Sequence, residues 1–365
     1  MADQASFVQQ TEPFRGELLA HCYRMLGSVH DAEDLVQETY LLAWRGFDGF
    51  EQRSSPRVWL YRIATNACLK MLQRQSKRVL PSGLGPAESD PLAPPITAGA
   101  QVAWLEPVPD AMVGSPLGDP ADVVVAREGV RLALIACLQH LSAPQRAVLI
   151  LRDVLAFSAY EVAAILDTTI PAVKSTLQRA RARLRQLDPD GDRSTEVRHP
   201  QARALLDRYI AAFGAADATA LEQLLSEETV LEATTIRTWF AGRTHCVPFL
   251  RRHILGAPGD WRMLPTRANG QPAAIAFRRV GNAYQPYGVV VLTVSGNAIT
   301  RVVSFADPTL VPLFYRTDTD RRGRRCVVAS ASRVNHGLVF GQVARASSVN
   351  AAATRHAGGT SRLSS

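Results

Sequence analysis

The sequence predicts a multidomain chain in which two all-α helical domains are followed by an α+β domain. Three observations predict it. Apolar residues recur at helical spacing over residues 12–80 and again over 122–187. Between those blocks, residues 81–121 are rich in Pro and Gly with little periodicity, which reads as a flexible linker. After a second short hinge, DPDGDRSTE, helical patterns give way to strand-like runs, the order expected of an α+β domain.

The chain has 365 residues, 47% hydrophobic and 20% charged, enough for two or three domains with cores of their own. No run of eighteen apolar residues exists, and the N-terminus lacks a basic region followed by an apolar one. A cytoplasmic location with no membrane partner is therefore expected. Cys22, Cys68, Cys137, Cys246 and Cys326 are scattered without a CxxC pair, which argues against a zinc knuckle and a disulfide framework. No metal and no cofactor are expected. Without a P-loop lysine motif, an HExxH or a GxSxG, no residue is assigned as catalytic and the chain is read as no enzyme. The net charge of +8 is concentrated at the end, where nine arginines from Arg316 to Ser365 face only Asp318 and Asp320. Basic charge that matters for nucleic acid has to be judged locally. That tail, residues 316–365, has few large apolar side chains after Phe340 and is expected to be disordered.

Residues 12–50 carry an acidic cluster, Asp31, Glu33, Asp34 and Glu38, with no base among them. Acids favour a helix N-terminus through the dipole, which accounts for Asp31 to Asp34 but not for Glu38, beyond the first turn. Residues 55–80 reverse the sign, with Arg57, Arg62, Lys70, Arg74, Lys77 and Arg78 and no acid, and include Trp59 and Tyr61. Bases interleaved with aromatics suit a surface that holds phosphates and stacks unpaired bases, worth roughly 1–3 kcal/mol per base. The alternative makes Trp59, Leu60 and Ile63 core residues of a helix with a basic outer face, and both readings fit along one helix.

Residues 141–185 read as a helix-turn-helix. Ser158 lies three before Glu161, a capping-box pair that opens a helix. Val162, Ile165 and Leu166 give it one apolar stripe, and Asp167, Thr168 and Thr169 interrupt it before Pro171, a residue suited to the first turn of the next helix. Val173, Leu177, Ala180 and Leu184 line one face of that second helix. Lys174, Arg179, Arg181, Arg183 and Arg185 bring five positive charges with no acid between Pro171 and Arg185, an attraction for phosphate that salt would weaken.

Past the hinge, helices are expected at 200–213 and 217–226, and strands at 229–236, 273–280, 287–294 and 298–305, the last two joined by a Ser295-Gly296-Asn297 turn. Glu232, Trp239, His245, Asp260 and Tyr287 could line a cavity, and a His/Asp pair could act as general acid and base. No spacing fixes their geometry, and packing for Trp239 or a surface position for His245 is the plainer reading.

The blocks DAEDLVQETYLLAWRGFDGF and SPRVWLYRIATNACLKMLQRQSKR, then LSAPQRAVLILRDVLAFSAYEVAAILDTTIPAVKSTLQRARARL, together resemble a bacterial sigma factor of the sigma-70 family, extracytoplasmic-function (ECF) group. LLDRYIAAFGAADATALEQLLSEETVLEA and YGVVVLTVSGNAITRVVSFADP resemble the cone-shaped SnoaL-like fold. The resemblance implies sigma domain 2 at residues 10–80, the linker, sigma domain 4 at 122–187 and a SnoaL-like cone at 198–315. It gives Asp31, Asp34, Gln37 and Glu38 to core RNA polymerase, on the clamp helices of the beta-prime subunit. Trp59, Arg62, Asn66, Lys70 and Arg74 would recognise and melt the −10 element. Lys174, Ser175, Gln178 and Arg179 would read the −35 element, with domain 4 also on the beta flap. In such proteins the linker threads toward the polymerase active site, and the Trp104-Leu105-Glu106 island is a candidate local anchor within it, with unstructured spacer the plainer reading. The expected function is promoter recognition and melting for transcription initiation, regulated by a cone that senses a small molecule or folds back on the helical domains. One alternative is a one-component, ligand-sensing transcriptional regulator; another is a SnoaL-like enzyme with a DNA-binding N-terminus. An acidic helix beside a basic-aromatic one favours the first reading, since a simple regulator has no use for the former.

Overall fold

The computed structural model describes residues 4–50, 55–113, 130–187 and 199–315. The tail expected to be disordered, residues 316–365, lies outside them, as do linker residues 114–121. The first helical domain comprises α1 (Gln4–Thr11), α2 (Arg15–Leu26), α3 (Val29–Gly46) and α4 (Pro56–Leu72). Each of the last two starts on a serine cap, Ser28 accepting from the Asp31 amide and Ser55 from the Val58 amide, with Pro56 at a first-turn position. The second helical domain comprises α5 (Leu132–Leu138), α6 (Ala143–Leu149), α7 (Ala159–Ile165) and α8 (Ile170–Leu187). Helices α9 (His199–Gly214), α10 (Ala218–Leu224) and α11 (Arg243–Phe249) belong to the third.

Six strands complete that third domain: β1 (Leu225–Ala233), β2 (Trp239–Ala241), β3 (Trp261–Ala268), β4 (Gln271–Val280), β5 (Ala283–Ser295) and β6 (Ala298–Phe305). They form one sheet in the order β2-β1-β6-β5-β4-β3, antiparallel except for the β1–β6 pair. The four expected strands all form, and β2, β3 and α11 are additions. Pro265 and the two arginines of β3 mask its strand pattern, yet proline is acceptable there because β3 is an edge.

Alternation along the central strands sorts side chains onto two buried faces. Ala274, Ala276, Val290, Leu292 and Val302 face the cone interior with Tyr209, Phe213, Phe240 and Trp261. Their neighbours Ala273, Ile275, Phe277, Val289, Val291, Val303 and Phe305 join one apolar cluster with Leu18, Tyr23, Leu35, Tyr61, Ile135 and Ile150 of the helical domains. The three units therefore share a core.

The linker differs from its expected flexibility over its described part. Leu80, Leu105, Val108 and Val113 are buried in the shared cluster. The Val79 amide donates to Ala103 O and the Leu105 amide to Val79 O, so the segment closes on itself. Its outer loop bonds to the cone, with the Glu88 amide on Trp239 O at 2.8 Å and the Ala98 amide on Thr235 O at 2.9 Å. These partners lie more than a hundred residues away, beyond the reach of local composition. Among the described residues, no helix is long and apolar enough to cross a membrane.

Gly288 marks where the sheet is tightest: a Cβ there would sit 1.9 Å from the Phe305 carbonyl oxygen of β6. Gly288→Ala is expected to cost about 2 kcal/mol or more, whereas Gly99→Ala, in open space, should stay within about 0.5 kcal/mol. Urea unfolding of the two variants checks the contrast.

Candidate nucleic-acid and protein interfaces

On α3, Val29, Ala32, Leu35, Val36, Thr39 and Ala43 turn inward. The opposite side presents Asp34, Gln37 and Glu38, all exposed, at positions that share one helical face. Leu41 continues that face and is 58% exposed, a large apolar side chain beside two carboxylates. The sequence reading missed it, although its place seven residues after Asp34 was the available signal. Asp31 differs from the other three: Arg78 Nη2 lies 2.5 Å from its carboxylate, so an internal ion pair engages it.

Helix α4 buries Leu60, Tyr61, Ala64, Thr65 and Cys68 and leaves Arg62, Asn66 and Lys70 exposed, with Arg74 exposed just beyond its end. Spacings of four place Arg62, Asn66, Lys70 and Arg74 along one side. Trp59 begins that row half-buried, stacked on Phe50 with centroids 4.5 Å apart and close to Phe47. It thus serves both packing and the polar row, as the two readings of this helix allowed.

The helix-turn-helix forms as the spacing requires. Ser158 and Glu161 make the reciprocal capping box, the Ser158 amide donating to Glu161 at 2.7 Å and the Glu161 amide to Ser158 Oγ at 3.2 Å. The Ser158 hydroxyl first, and then its amide, hold the Glu161 carboxyl below its ordinary value. The turn passes through Asp167 at φ 50°, a left-handed conformation that Asp tolerates better than most residues. Val173, Leu177 and Ala180 are buried, while Lys174, Ser175, Gln178 and Arg179 are exposed. The count of five unopposed charges needs correction, because Arg181 grips Asp153 through two contacts of 2.8 and 2.6 Å. Asp153 lies outside the 171–185 window in which the charges were counted.

Polar contacts fasten the helical domains together. Buried Arg146 of α6 donates to the Met25 carbonyl of α2, and to Gln139 Oε1 at 2.9 Å; burial lowers its pKa to about 10. Arg57 of α4 lies over the Phe157 ring, 4.5 Å from its centroid, and Tyr61 meets the same ring edge-on. The Trp104-Leu105-Glu106 island is held within the chain, against the plainer expectation of an unstructured spacer: Leu105 packs where a Cβ on Gly27 would come within 2.6 Å, and Glu106 accepts from Ser28 Oγ at 2.8 Å. His30 Nδ1 lies 3.0 Å from the same carboxylate, and Arg78 bonds the Trp104 carbonyl.

The β3–β4 hairpin reaches into this junction. Asn269, fully buried at the turn, donates to the Tyr23 hydroxyl at 2.7 Å and the Val130 carbonyl at 2.6 Å, and its Oδ1 accepts from the Val108 amide at 3.0 Å. One side chain of the cone thus touches the first helical domain, the linker and the start of the second. Asp110 adds an ion pair to Arg267 at 2.8 Å.

Inside the cone lies a small cavity, partly open to solvent, with about 40 Å³ in which the centre of a water-sized molecule can move, and mostly aromatic and aliphatic walls. Glu232 and Tyr287 line it as expected; Trp239, His245 and Asp260 do not. His245 bonds the Ala241 carbonyl and Asp260 pairs with Arg279 at 2.8 Å, so the general acid–base pair imagined for them is not assembled. Among the described residues, no three His, Cys, Asp or Glu side chains gather as a metal site.

Residues 12–78 match the family model for sigma-70 region 2, and residues 131–184 match that for sigma-70 region 4. The ECF RNA polymerase sigma factor SigG of Mycobacterium tuberculosis is 46% identical over 318 residues, covering 87% of this chain and 85% of that protein. The probable ECF RNA polymerase sigma factor SigI of the same organism is 27% identical over 302 residues, covering 82% of this chain and 93% of its own. Among solved structures, the Mycobacterium tuberculosis extracytoplasmic function sigma factor SigJ shares the fold at 23% identity and a TM-score of 0.53, covering 83% of this chain and 97% of that one.

The linker anchor is expected to respond to pH. The hydrogen bond to Glu106 raises the pKa of His30 against the opposing effect of burial, with Glu106, Asp307 and Glu33 adding negative field. Burial works against ionising Glu106, but His30, Ser28 and Arg78 together hold its carboxyl below the ordinary value. The His30 contribution is therefore complete below about pH 6.5 and fades as pH rises through its raised value; that of Glu106 is complete above about pH 4.5 and fades below it. Exchange of the Leu105 and Glu106 amides, corrected for intrinsic rates, should speed up between pH 6 and pH 8.5, and His30→Gln should flatten that dependence.

Proposed function

The chain belongs to the ECF group of the sigma-70 family of RNA polymerase sigma factors, and from that premise we propose how its surfaces divide the work of binding core polymerase and opening a promoter. Asp34, Gln37, Glu38 and Leu41 on α3 dock on the beta-prime subunit, with Asp31 joining only when Arg78 lets it go. Arg62, Asn66, Lys70 and Arg74, with the edge of Trp59, take the −10 strand. Lys174, Ser175, Gln178 and Arg179 enter the −35 major groove on the second helix of the helix-turn-helix, as such helices do. Residues 10–80 act as domain 2, 122–187 as domain 4 and 198–315 as the SnoaL-like regulator. One observation carries this reading: all three faces are exposed on helices whose opposite sides are packed.

The cone holds the free chain closed. The two promoter elements are centred about 25 base pairs apart, or about 85 Å along B-form duplex at 3.4 Å per pair. Here Phe157, just ahead of α7, lies against Tyr61 and Arg57 of the −10 helix. Adjacent packed helices stand about 8–10 Å apart, so both readers cannot engage one duplex until the helical domains part. Asn269 and Glu106 are the contacts that parting must break. The catalytic step of RNA synthesis belongs to the polymerase.

Asp34→Arg with Glu38→Arg should weaken core polymerase binding about tenfold or more at every promoter, measured by competition against the unchanged chain. Lys174→Glu with Arg179→Glu should instead lower run-off transcription in a promoter-dependent way. Lys174→Ala should reduce the salt slope of promoter binding by about one. Asn269→Ala is expected to raise run-off transcription severalfold at limiting polymerase; unchanged or lower output removes the closure reading while leaving the three faces intact.

A further inference from the structure

The cone cavity and the linker meet at two side chains. Glu232 is fully buried, lines the cavity and accepts the Ser82 amide of the linker at 2.8 Å, while its other oxygen pairs with Arg301 at 2.8 Å. Thr238 also lines the cavity, and its hydroxyl accepts the Ile96 amide at 2.8 Å. Around them the linker forms a strap along the cone: Trp239 Nε1 bonds the Gly85 carbonyl, and the Arg237 amide bonds the Ile96 carbonyl. Two polar groups of the cavity wall are thus also fastenings of the strap.

The rest of the wall defines what the cavity would take. Tyr209, Phe213, Phe240, Phe249, Trp261 and Tyr287 supply ring faces, with aliphatic side chains between them. The Glu232 charge is already matched by Arg301, so a charged occupant would be desolvated among apolar walls without a counterion. The Tyr209 phenol belongs to a buried residue and lies on the cavity wall. Burial, and then the nearby Tyr287 phenol, raise its pKa, so it stays a neutral donor. A ligand oxygen beside it would accept that hydrogen bond in place of water.

We propose that this cavity binds a neutral, ring-sized apolar molecule bearing one hydroxyl, whose oxygen accepts from Tyr209, and that its occupancy loosens the linker by displacing Ser82 and Ile96 from Glu232 and Thr238. The loosening bears on activity only through the closure reading above; binding and strap release stand apart from it. The oxygen of the occupant meets Tyr209, and its hydroxyl hydrogen competes with the Ser82 amide for the Glu232 carboxylate.

The test uses the full chain with 2-naphthol as probe and naphthalene, which lacks the hydroxyl, as comparator. Calorimetric titration should give saturable one-to-one binding of 2-naphthol, about tenfold weaker for naphthalene or for Tyr209→Phe, the scale of one net hydrogen bond. Val290→Phe, which fills the cavity, should abolish binding; where its melting temperature shows poor folding, the conservative Tyr209→Phe carries the comparison. Saturating 2-naphthol should speed amide exchange at Ser82 and Ile96 severalfold while leaving α4 amides unchanged. No saturable binding, or binding indifferent to both substitutions, overturns the site. Binding with unchanged or slowed exchange at Ser82 and Ile96 overturns the relay. A failure of Asn269→Ala to alter transcription would touch only the closure reading.

Discussion

A sheet whose centre is buried on both faces is the constraint on which the molecule depends. Through the middle of β4, β5 and β6, side chains alternate between the cone and a core shared with the helical domains. Freeing the cone would expose Ile275, Phe277, Val289, Val291, Val303 and Phe305 together, an apolar patch of the kind monomers rarely show. Apolar burial supplies the attraction, at roughly 25 cal/mol for each Å² removed from water. It does not by itself set the orientation of the parts.

Orientation comes from a few buried polar side chains whose partners are fixed. Asn269 spends both ends of its amide on three separate segments, and Glu106 gathers Ser28, His30 and Arg78. Such groups add little net stability when satisfied, yet leaving one unsatisfied in the interior is expensive. The arrangement of the parts is therefore specific, set by Asn269 and Glu106, while its cohesion comes from the apolar core they share.

Much of this was legible in the residues, and the rest was hidden for identifiable reasons. The capping box at Ser158 and Glu161 and the Val173, Leu177, Ala180 stripe are local patterns, and the helix-turn-helix formed where they placed it. Strand alternation located β4, β5 and β6 for the same reason. Edge strand β3 escaped because Pro265, Arg262 and Arg267 break its pattern, although Asn269-Gly270 is a strong hairpin signal that would have supplied its boundary. The ion pairs Arg78–Asp31 and Arg181–Asp153 escaped because each partner lies outside the segment being weighed. The order of the linker escaped most completely: its bonds run from Ser82 to Glu232 and from Ile96 to Thr238, and nothing in a Pro- and Gly-rich stretch foretells an acceptor so far along the chain.

The position of β6 has a consequence in time. Last of the strands in sequence, it lies between β1 and β5, so the β1–β2 pair cannot join β3, β4 and β5 in one sheet until residue 305 has been made. A chain emerging from the ribosome at about 5–20 residues per second folds its leading helices first. Each newborn copy therefore spends several seconds with its front helices complete and the sheet they pack against still in two pieces.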